Sequence, residues 1–123
     1  MKRIVAGVLG AGGALNGAFM LIASARWYDS VPGLAHTGPY NPHFVADIGA
    51  AYLAASLALV ARAWRPRYWP AAIAGAGFLA MHALIHVADL IMQRSGDPRV
   101  DVALVIIPAA LALWAALPDQ GAA

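Results

Sequence analysis

Four stretches of this sequence stay nearly free of charge for the length a helix needs to cross a bilayer. Ile4 to Ala25, Tyr68 to Ala88 and Val102 to Pro118 contain no Asp, Glu, Lys or Arg, and Phe44 to Ala61 is interrupted only by Asp47. A bilayer core takes about 20 apolar residues of helix, so four spans consume nearly all of the 123 residues and leave a single domain. Only 11% of the residues are charged, where soluble domains carry about 25%. The expected fold is therefore all-α, a four-helix transmembrane bundle with spans near 4–25, 43–63, 71–93 and 98–117. Cysteine is absent, which removes disulfide and thiolate chemistry. The last five residues read as an unstructured tail.

Ionisable groups inside such spans are costly unless they face partners, so they mark candidate function. The segment from Phe78 to Asp89, FLAMHALIHVAD, puts His82, His86 and Asp89 at i, i+4 and i+7, one stripe of a helix face. His43 and Asp47 repeat the four-residue spacing at the head of the second span. Counted inward from the helix ends at about 1.5 Å per residue, Asp47 and Asp89 lie at similar depths. His43 is shallower, His86 is one turn deeper, and His82 and Asn16 lie near mid-bilayer. Spans two and three share a short connection and are expected to be antiparallel neighbours, so the two polar faces can meet in the outer half of the bundle. Asp101 falls in the first turn of the fourth span, where the helix dipole favours a carboxylate.

The connections carry their own signals. Met1-Lys2-Arg3, an apolar run and Ala23-Ser24-Ala25 also fit a signal peptide with a small-x-small site, but the run is longer than an ordinary signal core and is read as the first span. Gly13 and Gly17 form a G-x-x-x-G pair extended by Gly10 and Ala14, a surface for close helix approach. Arg26 to Pro42 is the longest connection, punctuated by Pro32-Gly33 and Gly38-Pro39. It holds His36 and Asn41 and could lie over the bundle as a polar lid. Asn41-Pro42 and Asp97-Pro98 each read as a cap followed by a helix-starting proline, and Pro108 is expected to kink the fourth span. Lys2, Arg3, Arg62, Arg65 and Arg67 lie at one end of the spans, and Arg26, Arg94 and Arg99 at the other. That bias predicts both termini on the cytoplasmic side. The net charge of +2 thus reports topology and gives no nucleic-acid signal.

Imidazole and carboxylate donors on facing helices suit a transition metal ion such as Zn, Cu or Fe, with His43, Asp47, His82, His86 and Asp89 as ligands and redox chemistry as one use. Asn16 and His36 would line the same cofactor site. Haem b is a variant, with His43 or His36 opposite His86 or His82. A hydrogen-bond network without a ligand, Asp47 to a third-span histidine and Asp89 to His43, would instead fix helix register. A third reading is a site for a quinone or lipid that exchanges protons with the histidines. Beyond the lipid bilayer, partners would be a second copy or a larger membrane complex in which the chain is a non-enzymatic accessory subunit. No serine–histidine arrangement or phosphate-binding glycine loop supports hydrolase or kinase chemistry.

The segment from His43 to Leu59, with its Asp47-Ile48-Gly49 and Tyr52-Leu53 steps, resembles the second span of small bacterial four-helix membrane proteins of the DoxX-like and uncharacterised-domain group. The resemblance covers one helix and the four-span plan. It implies a bacterial inner membrane and carries over no functional residue.

Overall fold

The computed structural model describes residues 1–119, and every regular element among them is helical. In chain order these are α1 (Lys2–Ile22), α2 (Ser24–Ser30), α3 (Pro42–Trp64), α4 (Trp69–Ile91) and α5 (Pro98–Ala116), with short 3-10 turns at Leu34–Thr37 and Pro66–Tyr68. Counting the turn at Pro66 with α4, four helices are long and apolar enough to cross a membrane. Large apolar side chains face outward all along them, among them Val8, Leu15, Leu57, Ile85 and Leu104. An outward apolar coat and a polar-poor interior fit an integral membrane protein.

The interior is built from small residues. Leu59, Ala72, Ala76, Ala112 and Ala116 form a fully buried cluster, with Leu9, Ile73 and Leu79 packed against it. Where lipid is as apolar as leucine, helices associate through close van der Waals contact, which alanine and glycine permit. The G-x-x-x-G surface of α1 does this against α3. A methyl group built on Gly17 would lie 2.7 Å from the Gly49 carbonyl oxygen, and one on Gly10 would lie 2.9 Å from the Ser56 carbonyl oxygen. On the other side of α3, a methyl on Gly75 of α4 would come within 2.6 Å of the Ala55 carbonyl oxygen. Backbone therefore meets backbone at both of these crossings.

Caps and prolines set the helix ends. Asn41 Oδ1 accepts from the Phe44 amide at 3.1 Å, and Asp97 Oδ1 from the Arg99 amide at 3.0 Å, satisfying donors that the first turn leaves free. α1 stops at Ile22, three residues short of the expected end. Ala23 leaves helical geometry, and α2 restarts at Ser24 inside the expected loop. Two turns are too few to show a period, so composition alone does not reveal α2. In α5, one α turn leads into a π-helical stretch at Asp101–Ile106 before α-helix resumes at Ile107. Pro108 has no amide hydrogen for the carbonyl four residues earlier and its ring crowds that carbonyl. The widened turns stand just before it, at the level where the kink is expected.

At one end of the bundle Lys2 and Arg3 are tied to the end of α3 and to the chain just after the last turn of α5. Arg3 donates to the carbonyls of Ala63 and Trp64 at 2.9 and 3.0 Å, closing the open end of α3. Lys2 Nζ donates to the Pro118 carbonyl at 3.0 Å, and Arg62 pairs with Asp119 at 3.0 Å. The first residue of the expected unstructured tail is therefore engaged, while 120–123 lie outside the described residues.

Candidate functional site

The fifth turn of α4 and the start of α5 bring the ionisable groups together. The His86 Nδ1 lies 2.8 Å from Asp101 Oδ1, and the Ser95 hydroxyl donates to the other carboxylate oxygen, Oδ2. Ser95 stands in the α4–α5 connection, six residues before Asp101. Where Asp101 accepts through both oxygens, His86 donates from Nδ1, and its Nε2 makes no hydrogen bond among the described residues. His82, one turn further in, sets its ring edge-on to His86 at 4.8 Å between centroids. It also stacks with Phe78 at 6.2 Å and meets the edge of Tyr52 on α3 at 5.6 Å. The result is a line of polar and aromatic groups from the α4–α5 connection into the membrane-length part of the bundle: Ser95, Asp101, His86, His82 and Tyr52.

The line is sheltered but not sealed. The side chains of His86 and Asp101 are 22% and 12% exposed, so the imidazole can be reached from outside the bundle. Asp101 also begins the π-helical stretch, a geometry that recurs at functional sites because it re-aims side chains within a helix.

This arrangement replaces the expected five-residue ligand set. His43 and Asp47 lie on the outside of α3, 89% and 63% exposed, and pair with each other at 3.4 Å. Asp47 thus makes no bond to a histidine of α4, and Asp89 makes none to His43. Asp89 turns to Arg94 at 3.4 Å instead. Among the described residues no group of three or more His, Asp or Glu side chains is placed to hold a metal ion. The physical reason is rotation: α3 turns Val45, Gly49 and Ser56 inward, and the face that carries His43 and Asp47 follows outward.

Asn16 and His36, expected beside the cofactor, have other roles. Asn16 Oδ1 accepts the indole hydrogen of Trp27 at 2.9 Å, which folds α2 back onto α1. His36 is exposed, and its backbone amide closes a turn to Gly33. The connection does reach the far side of the bundle end. Gly33, with φ of +81°, packs directly on the backbone of Gly96 and Asp97.

Sequence reasoning missed Asp101 and Ser95 as members of the site. Asp101 had a sufficient local explanation at the head of its helix, and Ser95 stood in a loop. The available signal was depth, since Asp101 enters from the same end as His86 and within a turn of its level. No family model, curated protein or solved structure matches this chain, so its function is argued from its own residues.

Proposed function

We propose that this protein is an integral membrane protein whose His86–Asp101 pair exchanges protons with a small apolar or amphipathic molecule, of quinone or lipid type, arriving from the bilayer. The observation that carries this reading is the hydrogen-bonded run Ser95–Asp101–His86, with His82 beside it, in a membrane-length pair of helices. A carboxylate that fixes one imidazole nitrogen leaves the other to accept a proton from a quinol hydroxyl when neutral and to donate to a quinone carbonyl when protonated. Tyr52, Phe78 and His82 add aromatic faces and edges suited to a planar ring. The charge bias supports termini facing the cytoplasm, which puts the site in the outer half of the membrane. The resemblance of the second span to DoxX-like proteins supports a bacterial inner membrane.

The test is titration of the purified protein with a short-chain benzoquinone between pH 5 and 8, read by tryptophan quenching. Saturable binding that varies with pH is expected. His86→Gln should weaken it about tenfold, the loss of one hydrogen bond to a charged group, and Asp101→Asn should flatten the pH dependence. Identical titrations for the parent and both variants would refute the proposal.

A metal reading keeps one specific support: a carboxylate on Nδ1 is the usual orienting partner of a metal-bound imidazole. In that case His82 and His86 would be two ligands of a site completed by a second copy or another subunit. Elemental analysis of protein purified without chelators, beside a His82→Ala/His86→Ala variant, separates the readings.

A further inference from the structure

The opposite end of the bundle holds a buried charge that the His–Asp site does not use. Arg62, in the last turn of α3, has no exposed surface. Its Nη2 donates to Asp119 at 3.0 Å and to the Leu117 carbonyl at 3.3 Å. Nε and Nη1 have no hydrogen-bond partner among the described residues. A guanidinium is a fork of donors suited to planar or tetrahedral oxyanions, and leaving part of it unpaired away from water is expensive. Among the described residues, the carboxylate facing it belongs to Asp119, which is about half exposed at 48%. Arg62 is thus held from inside by the helix and closed from outside by a displaceable anion.

Beside this pair lies a cavity of about 310 Å³ lined by Arg62, Pro66, Arg67, Trp69, Pro118 and Asp119. Arg67 adds a second guanidinium on its wall. Trp64, Tyr68 and Trp69 mark this level as a membrane–water interface, where amphipathic rings collect. Basic pockets between helices at this depth suit phosphate-bearing headgroups.

We infer that this cavity binds a phosphate group that carries no cation of its own, with Arg67 and the Nη2 edge of Arg62 as its donors and Asp119 as the anion it displaces. The interfacial level makes the headgroup of an anionic phospholipid the favoured source; a soluble phosphate shares the chemistry. Asp119 acts as a stand-in that satisfies Arg62 when the cavity is empty. Removing its charge should therefore tighten binding, an effect that a purely structural salt bridge does not produce.

The experiment is native mass spectrometry of the full chain in detergent doped with equal phosphatidylglycerol or phosphatidylcholine, together with calorimetric titration by inorganic phosphate. Phosphatidylglycerol retention about fivefold above phosphatidylcholine is expected, the increment of one interfacial arginine. Arg67→Gln should bring the two lipids to parity, Asp119→Asn should raise the preference further, and Arg99→Gln at the other end should leave it unchanged. Arg62→Gln should also abolish the preference; if that variant does not fold, Arg67→Gln and Asp119→Asn decide alone. Uptake of inorganic phosphate with the same variant pattern but no lipid preference would support the site and assign a soluble ligand. Equal binding of both lipids with no phosphate uptake would overturn it, as would a preference that Arg67→Gln and Asp119→Asn leave unmoved.

Discussion

Replacing Gly17 by alanine tests the crossing on which the bundle is built. The added methyl would sit 2.7 Å from the Gly49 carbonyl oxygen and 2.8 Å from the Leu53 amide nitrogen, where ordinary contact begins at 3.4 Å. Both atoms are α3 backbone and cannot rotate aside, so the helices must part by about 0.7 Å or bend. Overpacking of this kind costs about 1–3 kcal/mol. Alanine also gains up to about 1 kcal/mol of helix propensity over glycine, which masks part of the loss. Gly12 supplies the control, because a methyl there meets nothing within 4 Å. Gly12→Ala keeps the gain without the clash, and the difference between the two variants isolates the crossing at about 1–3 kcal/mol. Unfolding from dodecyl maltoside micelles with increasing dodecyl sulfate, followed by far-ultraviolet circular dichroism, measures that difference. Equal midpoints for the two variants would refute the claim that backbone contact holds α1 on α3.

Trp27→Phe removes the donor to Asn16 and should cost about 1 kcal/mol, with faster amide exchange confined to Ser24–Ser30; unchanged exchange there would show that the bond does not anchor α2. Pro108→Ala restores an amide hydrogen and should let the π-helical stretch relax towards α-helix, shifting Asp101 away from His86. Its check is the pH dependence of benzoquinone binding, expected to flatten as in Asp101→Asn. The Asp119 carboxyl is held below the usual carboxylate range, chiefly by its hydrogen bond from Arg62, with the charges of Arg62, Lys2 and the amino terminus adding and burial opposing. A lowered folded value means a stabilisation fully present above the ordinary carboxylate range and lost as the pH falls through the lowered value. The stability gap between the parent and Asp119→Asn should therefore be constant near neutrality and close on acidification; a gap that widens in acid would contradict the pairing.

Hydropathy was enough to read four long helices, because a bilayer demands long uncharged runs and this chain supplies them with little else. A close helix approach on α1 was also legible, since a G-x-x-x-G pair has one main use in a span, but not that the partner is α3. The site was half legible. His82 and His86 stood out on α4, but their partner came from α5 and not from α3. Helical spacing fixes which residues of one helix share a face, and says nothing of how neighbouring helices are rotated about their axes. Here the rotation is set by Gly10, Gly17 and Gly49, whose need for backbone contact turns His43 and Asp47 outward. A place near a helix start is by itself a sufficient reason for a carboxylate at Asp101, although Asp97 already caps that helix.

The ties of Lys2 and Arg3 carry a consequence for how the chain is made. Both residues are made well before their acceptors, the Ala63, Trp64 and Pro118 carbonyls. Arg3 must wait for the end of α3, and Lys2 for the end of α5. Until then the basic end of α1 is unsecured, and the Pro118 carbonyl just after α5 acts as the clasp that closes this end of the bundle.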